Sequence, residues 1–219
     1  MIRGVIFDLD GVLVSTDALH YRAWKHLADD LGIPDFTERD GARQRGVSRM
    51  ESLAILLEKS PRTFSPEEKA AFAARKNGYY VDSLKALDAS ALLPGALETL
   101  RLLRDRGVRT AIGSASKNAP AIVEKTGLSG RFDALCSGLQ VVKSKPDPEV
   151  FVKAADMLGL PYGRCLVVED AKAGVVAAHR AGMTALGVGP EYAALGAEWS
   201  ARDLSRVGNW DEMLGSRVP

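Results

Sequence analysis

One short stretch limits this chain more than any other. Val5-Ile6-Phe7 runs apolar, then breaks into Asp8-Leu9-Asp10-Gly11-Val12. A β-branched and aromatic run closed by acid and glycine reads as a buried strand. Such a strand leaves two carboxylates, two residues apart, at its carboxyl end, the edge where parallel α/β sheets bind ligands. Two readings of these acids are open at this point. Either one caps a following helix and the other is solvated, or both belong to a site that the rest of the chain completes.

The pattern downstream alternates. Helical spacing over Asp17–Gly32 puts Leu19, Ala23, Trp24, Leu27 and Leu31 on one side, with Asp17 as the expected N-cap and Gly32 as the stop. Helical runs follow at Met50–Leu57 and Pro66–Leu84, with no convincing strand anywhere in 15–90. From Leu92 onward strands return. Pro94 is expected to open a helix to Arg106, and Arg109–Gly113 reads as a strand. A helix over Asn118–Thr126 and a strand over Phe132–Cys136 come next. Asp147 and Pro148 are expected as N-cap and first residue of a helix running to Gly159. Cys165–Asp170 is a second apolar strand ending on acids, followed by a helix near Gly174–Gly182 and a strand at Thr184–Val188. Alternation of this kind indicates a parallel sheet. The fold expected is α/β: a Rossmann-like parallel sheet core over 1–14 and 91–219, with an all-helical cap domain inserted at 15–90.

Composition narrows the function classes. The formal net charge of +1 across 219 residues gives no pull toward nucleic acid or membrane, and Lys and Arg form no run of like charge. No apolar segment approaches the roughly 20 residues that a membrane helix needs. The N-terminus runs into a strand without a secretory apolar region, so a cytoplasmic protein is expected. Cys136 and Cys165 lie in strand-like runs and read as buried free thiols; with three dispersed histidines they make no zinc pattern.

A parallel sheet would gather groups that the sequence holds far apart: Asp8 and Asp10, Ser114, Lys145, and Glu169 with Asp170. Converging carboxylates repel one another unless a cation sits among them, and hard oxygen ligands favour Mg²⁺. A lysine and a serine beside that ion could hold the remaining oxygens of a phosphoryl group. Against this, Lys145 could be a solvated surface lysine, and Ser114 a helix cap, although Ser116 is better placed for that.

Asp8-Leu9-Asp10-Gly11-Val12, the Ser114 strand end, Lys145-Pro146 and Glu169-Asp170 resemble, in order, the four motifs of the haloacid dehalogenase superfamily, and they span the chain. The resemblance implies that Asp8 is a nucleophile forming an aspartyl-phosphate and that Asp10 is the general acid and base. It also implies that Asp8, Asp170 and the Asp10 carbonyl bind Mg²⁺, with Glu169 close by. Lys145 and the ion would neutralise charge as an anionic carboxylate approaches an anionic phosphoryl group.

Within that superfamily phosphate-ester hydrolysis is the default. The inserted block is similar instead to the β-phosphoglucomutase-like subfamily, in His20-Tyr21-Arg22-Ala23-Trp24, Arg45-Gly46-Val47-Ser48-Arg49 and Arg75-Lys76-Asn77, matched in the core by Ser114-Ala115-Ser116-Lys117-Asn118. By that resemblance Arg49 binds the phosphate not being transferred, with Ser116, Lys117 and Asn118 as core counterparts. His20 and Lys76 help position Asp10 as the cap closes on its two short connections, near Val14–Thr16 and Ser90–Pro94. Arg45 stands where a lysine is expected, keeping charge but not hydrogen-bond geometry. Asp147 is a second small departure. His20 alone on a helix also reads as a structural histidine, and the spacing of Trp24 from Leu27 and Leu31 fits the apolar face rather than a sugar platform.

What the subfamily implies is a mutase that interconverts β-glucose 1-phosphate and glucose 6-phosphate. It would work as a monomer, with Mg²⁺ and a catalytic trace of β-glucose 1,6-bisphosphate. The competing expectation is a phosphatase of small phosphorylated sugars. A non-catalytic binding protein on the same fold is argued against by the intact motif acids.

Overall fold

A computed structural model describes residues 1–45 and 47–215. The chain divides into two compact units, Met1–Ser15 with Asp88–Pro219, and Thr16–Leu87. The first is built on a six-stranded parallel sheet: β1 (Gly4–Phe7), β2 (Arg109–Gly113), β3 (Ala134–Cys136), β4 (Cys165–Glu169), β5 (Thr184–Gly187) and β6 (Trp199–Ser200). Their spatial order is β3-β2-β1-β4-β5-β6. From β1 the chain builds outward through β2 and β3, then returns beside β1 and builds the other way. That reversal is a topological switch point, and it lies between β1 and β4. Register places Phe7 beside Val168 and Ile112, so Asp8 leaves the sheet next to Glu169 on one side and Gly113 on the other.

The buried strands explain their own composition. Every residue of β1 and β4 is buried, which requires apolar runs rather than alternation. Helices α5 (Ala96–Asp105), α6 (Ala119–Lys125), α7 (Glu149–Leu158), α8 (Lys172–Arg180) and the short α9 (Trp210–Leu214) belong to the same unit. Val150, Phe151, Ala154, Ala155 and Leu158 of α7 and Val175, Ala177 and Ala178 of α8 pack on Ile6, Ala111, Val167 and Ala185. Cys136 and Cys165 are buried free thiols, and burial pushes Cys165 up to about 11.

The helical unit holds α1 (Asp17–Asp30), α2 (Glu38–Arg43), α3 (Arg49–Leu57) and α4 (Pro66–Leu84). Trp24, Leu27, Ala28, Ile33, Phe36, Leu53, Leu56, Phe72 and Ala73 form its core. Ser48 and Ser65 cap α3 and α4, each accepting from the N–H three residues on, while Glu51 and Glu68 accept from Ser48 N and Ser65 N in return.

Several boundaries differ from the sequence expectation for identifiable reasons. The N-cap of α1 is Thr16, so Asp17 falls in the first turn, where its charge complements the helix dipole. Helix α5 starts at Ala96 rather than Pro94, because Gly95 at φ 83° makes the entry turn against the Leu204–Ser205 backbone. In α7 the first helical carbonyl is that of Pro148; Asp147 Oδ1 still accepts from Glu149 N at 3.1 Å, one residue out of the expected place. Three short elements had no sequence signal. Glu-Arg-Asp-Gly-Ala-Arg of α2 has no apolar stripe, β6 is two residues long, and α9 has one turn.

Candidate active site

The carboxyl ends of β1 and β4 bring the motif acids together. Asp8 follows β1, is only 8% exposed, and its N–H donates to Val168 O at 2.9 Å. Lys145 lies on the loop between β3 and α7 and is 2% exposed. Its ammonium donates to Asp8 Oδ1 at 2.6 Å and to Glu169 Oε1, and stands 4.7 Å over the Phe151 ring. The reading of Lys145 as a solvated lysine is therefore overturned. Glu169 is 1% exposed and accepts from Ala171 N through its other oxygen, at 2.9 Å. Both its oxygens are thus engaged by protein donors. Asp170 faces the turn after β1, close against Gly11.

That turn depends on glycine. Gly11 has φ 81°, and a Cβ there would stand 2.0 Å from Asp170 Oδ2. A side chain at position 11 would occupy the space beside the Asp170 carboxylate. Backbone bonds Gly11 N to Val14 O and Leu13 N to Leu9 O fold the chain back past Asp10, which is partly buried.

The electrostatics follow from burial. Burial is the main influence raising Asp8 to about 7; Lys145 opposes it, while Glu169 and Asp10 add to it. Burial also works against the Lys145 charge, but Asp8 and Glu169 outweigh it and hold the ammonium above its ordinary range. Asp8, Glu169 and Asp170 each offer a carboxylate oxygen within 4.8 Å of the others. The donor set is all oxygen, and its negative charge exceeds what one ammonium offsets, so these residues fit a hard divalent cation such as Mg²⁺.

Ser114 follows β2, is buried, and its Oγ accepts from Ser116 N at 3.1 Å. Ser116 Oγ in turn accepts from Asn118 N at 3.2 Å, just before α6. Ala115 and Ser116 are half-buried and Lys117 is exposed. Gly138 lets the β3 loop pass this turn closely, since a Cβ there would meet Ala115 O at 2.2 Å.

In the helical unit the remaining candidates fall into separate roles. Arg49 donates to Asn77 Oδ1 at 2.8 Å, and burial lowers its pKa. Lys76, 3% exposed, donates to His20 Nδ1 at 2.9 Å and stands 4.7 and 4.8 Å over the Trp24 and Tyr80 rings. Burial first, then Lys76 and Arg49, hold His20 well below its usual pKa; it is neutral, with its proton on Nε2 when Nδ1 accepts. Trp24 is 2% exposed in the helical core, so its ring serves packing and the Lys76 ammonium, and the apolar-face reading holds over the sugar platform. Arg45 pairs with Asp17 at 2.9 Å. Ser48 is the α3 cap, Val47 is half-buried beside it, and Gly46 lies outside the described residues. Sequence reasoning left out Tyr80, whose signal was its place one turn after Lys76. It quoted Asn77 without giving it a part.

This fold and this acid cluster belong to a known family. The chain is a member of the haloacid dehalogenase-like hydrolases, whose sequence model matches residues 2–182, and is thus an enzyme of that superfamily. β-Phosphoglucomutase of Bacillus subtilis (strain 168) is 38% identical over 206 residues, 93% of this chain and 91% of that protein. The phosphorylated carbohydrates phosphatase of Thermotoga maritima is 31% identical over 185 residues, covering 83% and 82%. The 2.27 Å crystal structure of β-phosphoglucomutase from Clostridium difficile matches at 34% identity with a TM-score of 0.89, over 99% of this chain and 97% of that one. Among the described residues no helix is long and apolar enough to cross a membrane.

Proposed function

We propose that this protein is a phosphosugar mutase that interconverts β-glucose 1-phosphate and glucose 6-phosphate. The Asp8 carboxylate attacks the phosphorus of one phosphate of β-glucose 1,6-bisphosphate, and the bond from that phosphorus to the sugar oxygen breaks, leaving a sugar monophosphate. Asp10 gives its proton to that oxygen. The 6-hydroxyl of β-glucose 1-phosphate then loses its proton to Asp10 and attacks the aspartyl-phosphate, restoring Asp8 and forming the bisphosphate. The bisphosphate turns over and gives its 1-phosphate to Asp8, releasing glucose 6-phosphate. β-Glucose 1,6-bisphosphate is the intermediate that presents each phosphate in turn. Lys145 opposes the burial that disfavours the Asp8 carboxylate and orients it, and Glu169 holds Lys145. Asp8 and Asp170, rather than the doubly engaged Glu169, are the side chains that would hold Mg²⁺, with the Asp10 carbonyl as the family resemblance adds. The ion supplies charge neutralisation and alignment of the phosphoryl oxygens. Ser114, Ser116, Lys117 and Asn118 are assigned to phosphate oxygens.

The observation that carries a mutase over a phosphatase is Arg49. It is half-buried and oriented by the neutral amide of Asn77, and among the described residues no carboxylate pairs with it. Its charge is therefore held in place yet left to an anion, which suits the phosphate that is not being transferred. The similarity to the B. subtilis mutase over most of both chains supports this reading. A phosphatase of phosphorylated sugars is the second reading, favoured by the likeness to the T. maritima protein. Phosphorus NMR of β-glucose 1-phosphate with Mg²⁺ and a trace of the 1,6-bisphosphate separates them. Glucose 6-phosphate is expected; inorganic phosphate as the product overturns the mutase in favour of the phosphatase.

A further inference from the structure

Lys145 reaches a buried position from a loop in which Val141 packs against the core while the other two large apolar side chains face outward. Leu139 and Val142 are 65% and 92% exposed. Val141 is thus a single apolar anchor, and polar contacts supply the rest of the loop's attachment. One carboxylate collects them. Val142 N and Lys143 N donate to Glu149 Oε2 at 3.0 and 2.7 Å. Lys153, one turn along α7, donates to Glu149 Oε1 and to Gln140 O, both at 2.6 Å. Gln140 Oε1 accepts from Ser137 N and Oγ at 2.8 and 2.6 Å, closing the near end of the loop. Arg180 donates to Pro146 O at 3.0 Å beyond Lys145.

A Glu–Lys pair four residues apart on a helix is ordinarily a surface ornament worth a few tenths of a kcal/mol. The division of oxygens here argues for more. Lys153 holds one oxygen and thereby aims the other at two backbone N–H groups, two and three residues before Lys145. Glu149 is held at about 2, first by Lys153 and then by Lys143 N, so it stays an acceptor at any working pH.

We infer that Glu149 is a positioning residue for phosphoryl transfer: it ties the 137–147 loop to the start of α7 and so fixes where the Lys145 ammonium meets Asp8 and Glu169. The inference rests on Asp8 as phosphoryl acceptor, which the mutase and the phosphatase readings share. It needs no statement about the sugar.

The test uses acetyl phosphate with Mg²⁺ as donor and follows phosphorylation of Asp8 by intact-protein mass. Misplacement of a catalytic group by about 1 Å can cost 10²-fold, so Glu149→Ala is expected to slow transfer by about that factor. Glu149→Gln, which keeps an acceptor oxygen, should fall between. In a Lys145→Ala background Glu149→Ala should add little, because the group it positions is gone. The same factor in both backgrounds, or no loss in either, overturns the inference. A second readout does not depend on turnover. Labelling of lysines by an amine-reactive ester, resolved by peptide mass spectrometry, should speed up about tenfold at Lys145 in Glu149→Ala, as a local opening allows, with the lysines outside the loop unchanged except Lys153, which loses Glu149 as its partner. Unaltered Lys145 labelling overturns the inference even where transfer slows. Wild-type protein that never gains phosphate removes the Asp8 reading itself, and this inference falls with it.

Discussion

At the scale of single residues, the site turns on how closely Asp170 can approach the turn after β1. Gly11 serves two purposes there: a left-handed φ of 81° and the absence of a Cβ that would lie 2.0 Å from Asp170 Oδ2. The two costs of Gly11→Ala can be read separately. The left-handed backbone costs an L-residue about 1–2 kcal/mol, which should appear in the free energy of urea unfolding. The displaced Asp170 carboxylate should raise the Mg²⁺ concentration needed for half-maximal phosphoryl transfer. A variant less stable by that amount but with unchanged Mg²⁺ dependence would remove Asp170 from the ion's ligands and leave Gly11 a turn residue only. Lys145 shows the complementary economy. A single ammonium satisfies Asp8 and Glu169, whose burial would otherwise be costly.

At the scale of elements, the short helix α2 shows how a segment without an apolar stripe is still fixed. Asp40 Oδ2 accepts from Thr37 N and Thr37 Oγ1, each at 2.8 Å, and pairs with Lys59 at 2.7 Å. Burial works against ionisation of Asp40, but Lys59 and then Thr37 outweigh it and hold the group at about 2, below the ordinary 3.8. A depressed carboxylate stabilises above its unfolded pKa and loses that contribution as pH falls through the folded one. Asp40→Asn, which mimics the protonated acid, is therefore expected to cost about 1 kcal/mol near pH 6, the margin between charged and neutral hydrogen bonds. The gap to wild type should shrink as pH falls from about 4 toward 2. A gap that stays constant in urea unfolding at pH 6 and pH 3 would show that the Asp40 charge does not matter. The same element marks where sequence reading stops. The strands β1, β2, β4 and β5 and the helices α1, α4 and α7 announced themselves because each buries a long apolar run or stripe. Helix α2 is held by a capping pair and a lysine from after α3, contacts that no local period encodes. The site divided in the same way. Asp8, Lys145 and Glu169 were legible because motif order and a parallel sheet bring them to one edge. The clamp of Glu149 on the loop was not, since its partners are backbone N–H groups, which look alike at every position.

At the scale of the whole molecule, the chain passes between its two units at Ser15–Thr16 and again at Leu87–Asp88, and each unit carries a different share of the proposed chemistry. The sheet unit holds Asp8, Asp10, Lys145 and Asp170, the groups proposed to make and break the bond to phosphorus. The helical unit holds Arg49, set by Asn77, with the Lys76–His20 pair on neighbouring helices. A simple transfer from a small donor draws on the first share alone; isomerising a sugar phosphate draws on both. Arg49→Ala is therefore expected to lower kcat/KM for β-glucose 1-phosphate by about 10²-fold or more, as losing a desolvated charge partner does. Phosphorylation of Asp8 by acetyl phosphate should be nearly unchanged, since that donor has no second phosphate. Hydrolysis of the phosphoenzyme should not slow, so the ratio of glucose 6-phosphate to inorganic phosphate should drop. Measuring that ratio beside the acetyl phosphate rate distinguishes three outcomes. Loss of sugar turnover alone supports Arg49 as the holder of the second phosphate. Equal loss with both substrates means the substitution has disturbed the helical unit or the site at large. Turnover and product ratio both unaltered would leave Arg49 as a surface charge and return the protein to the phosphatase reading.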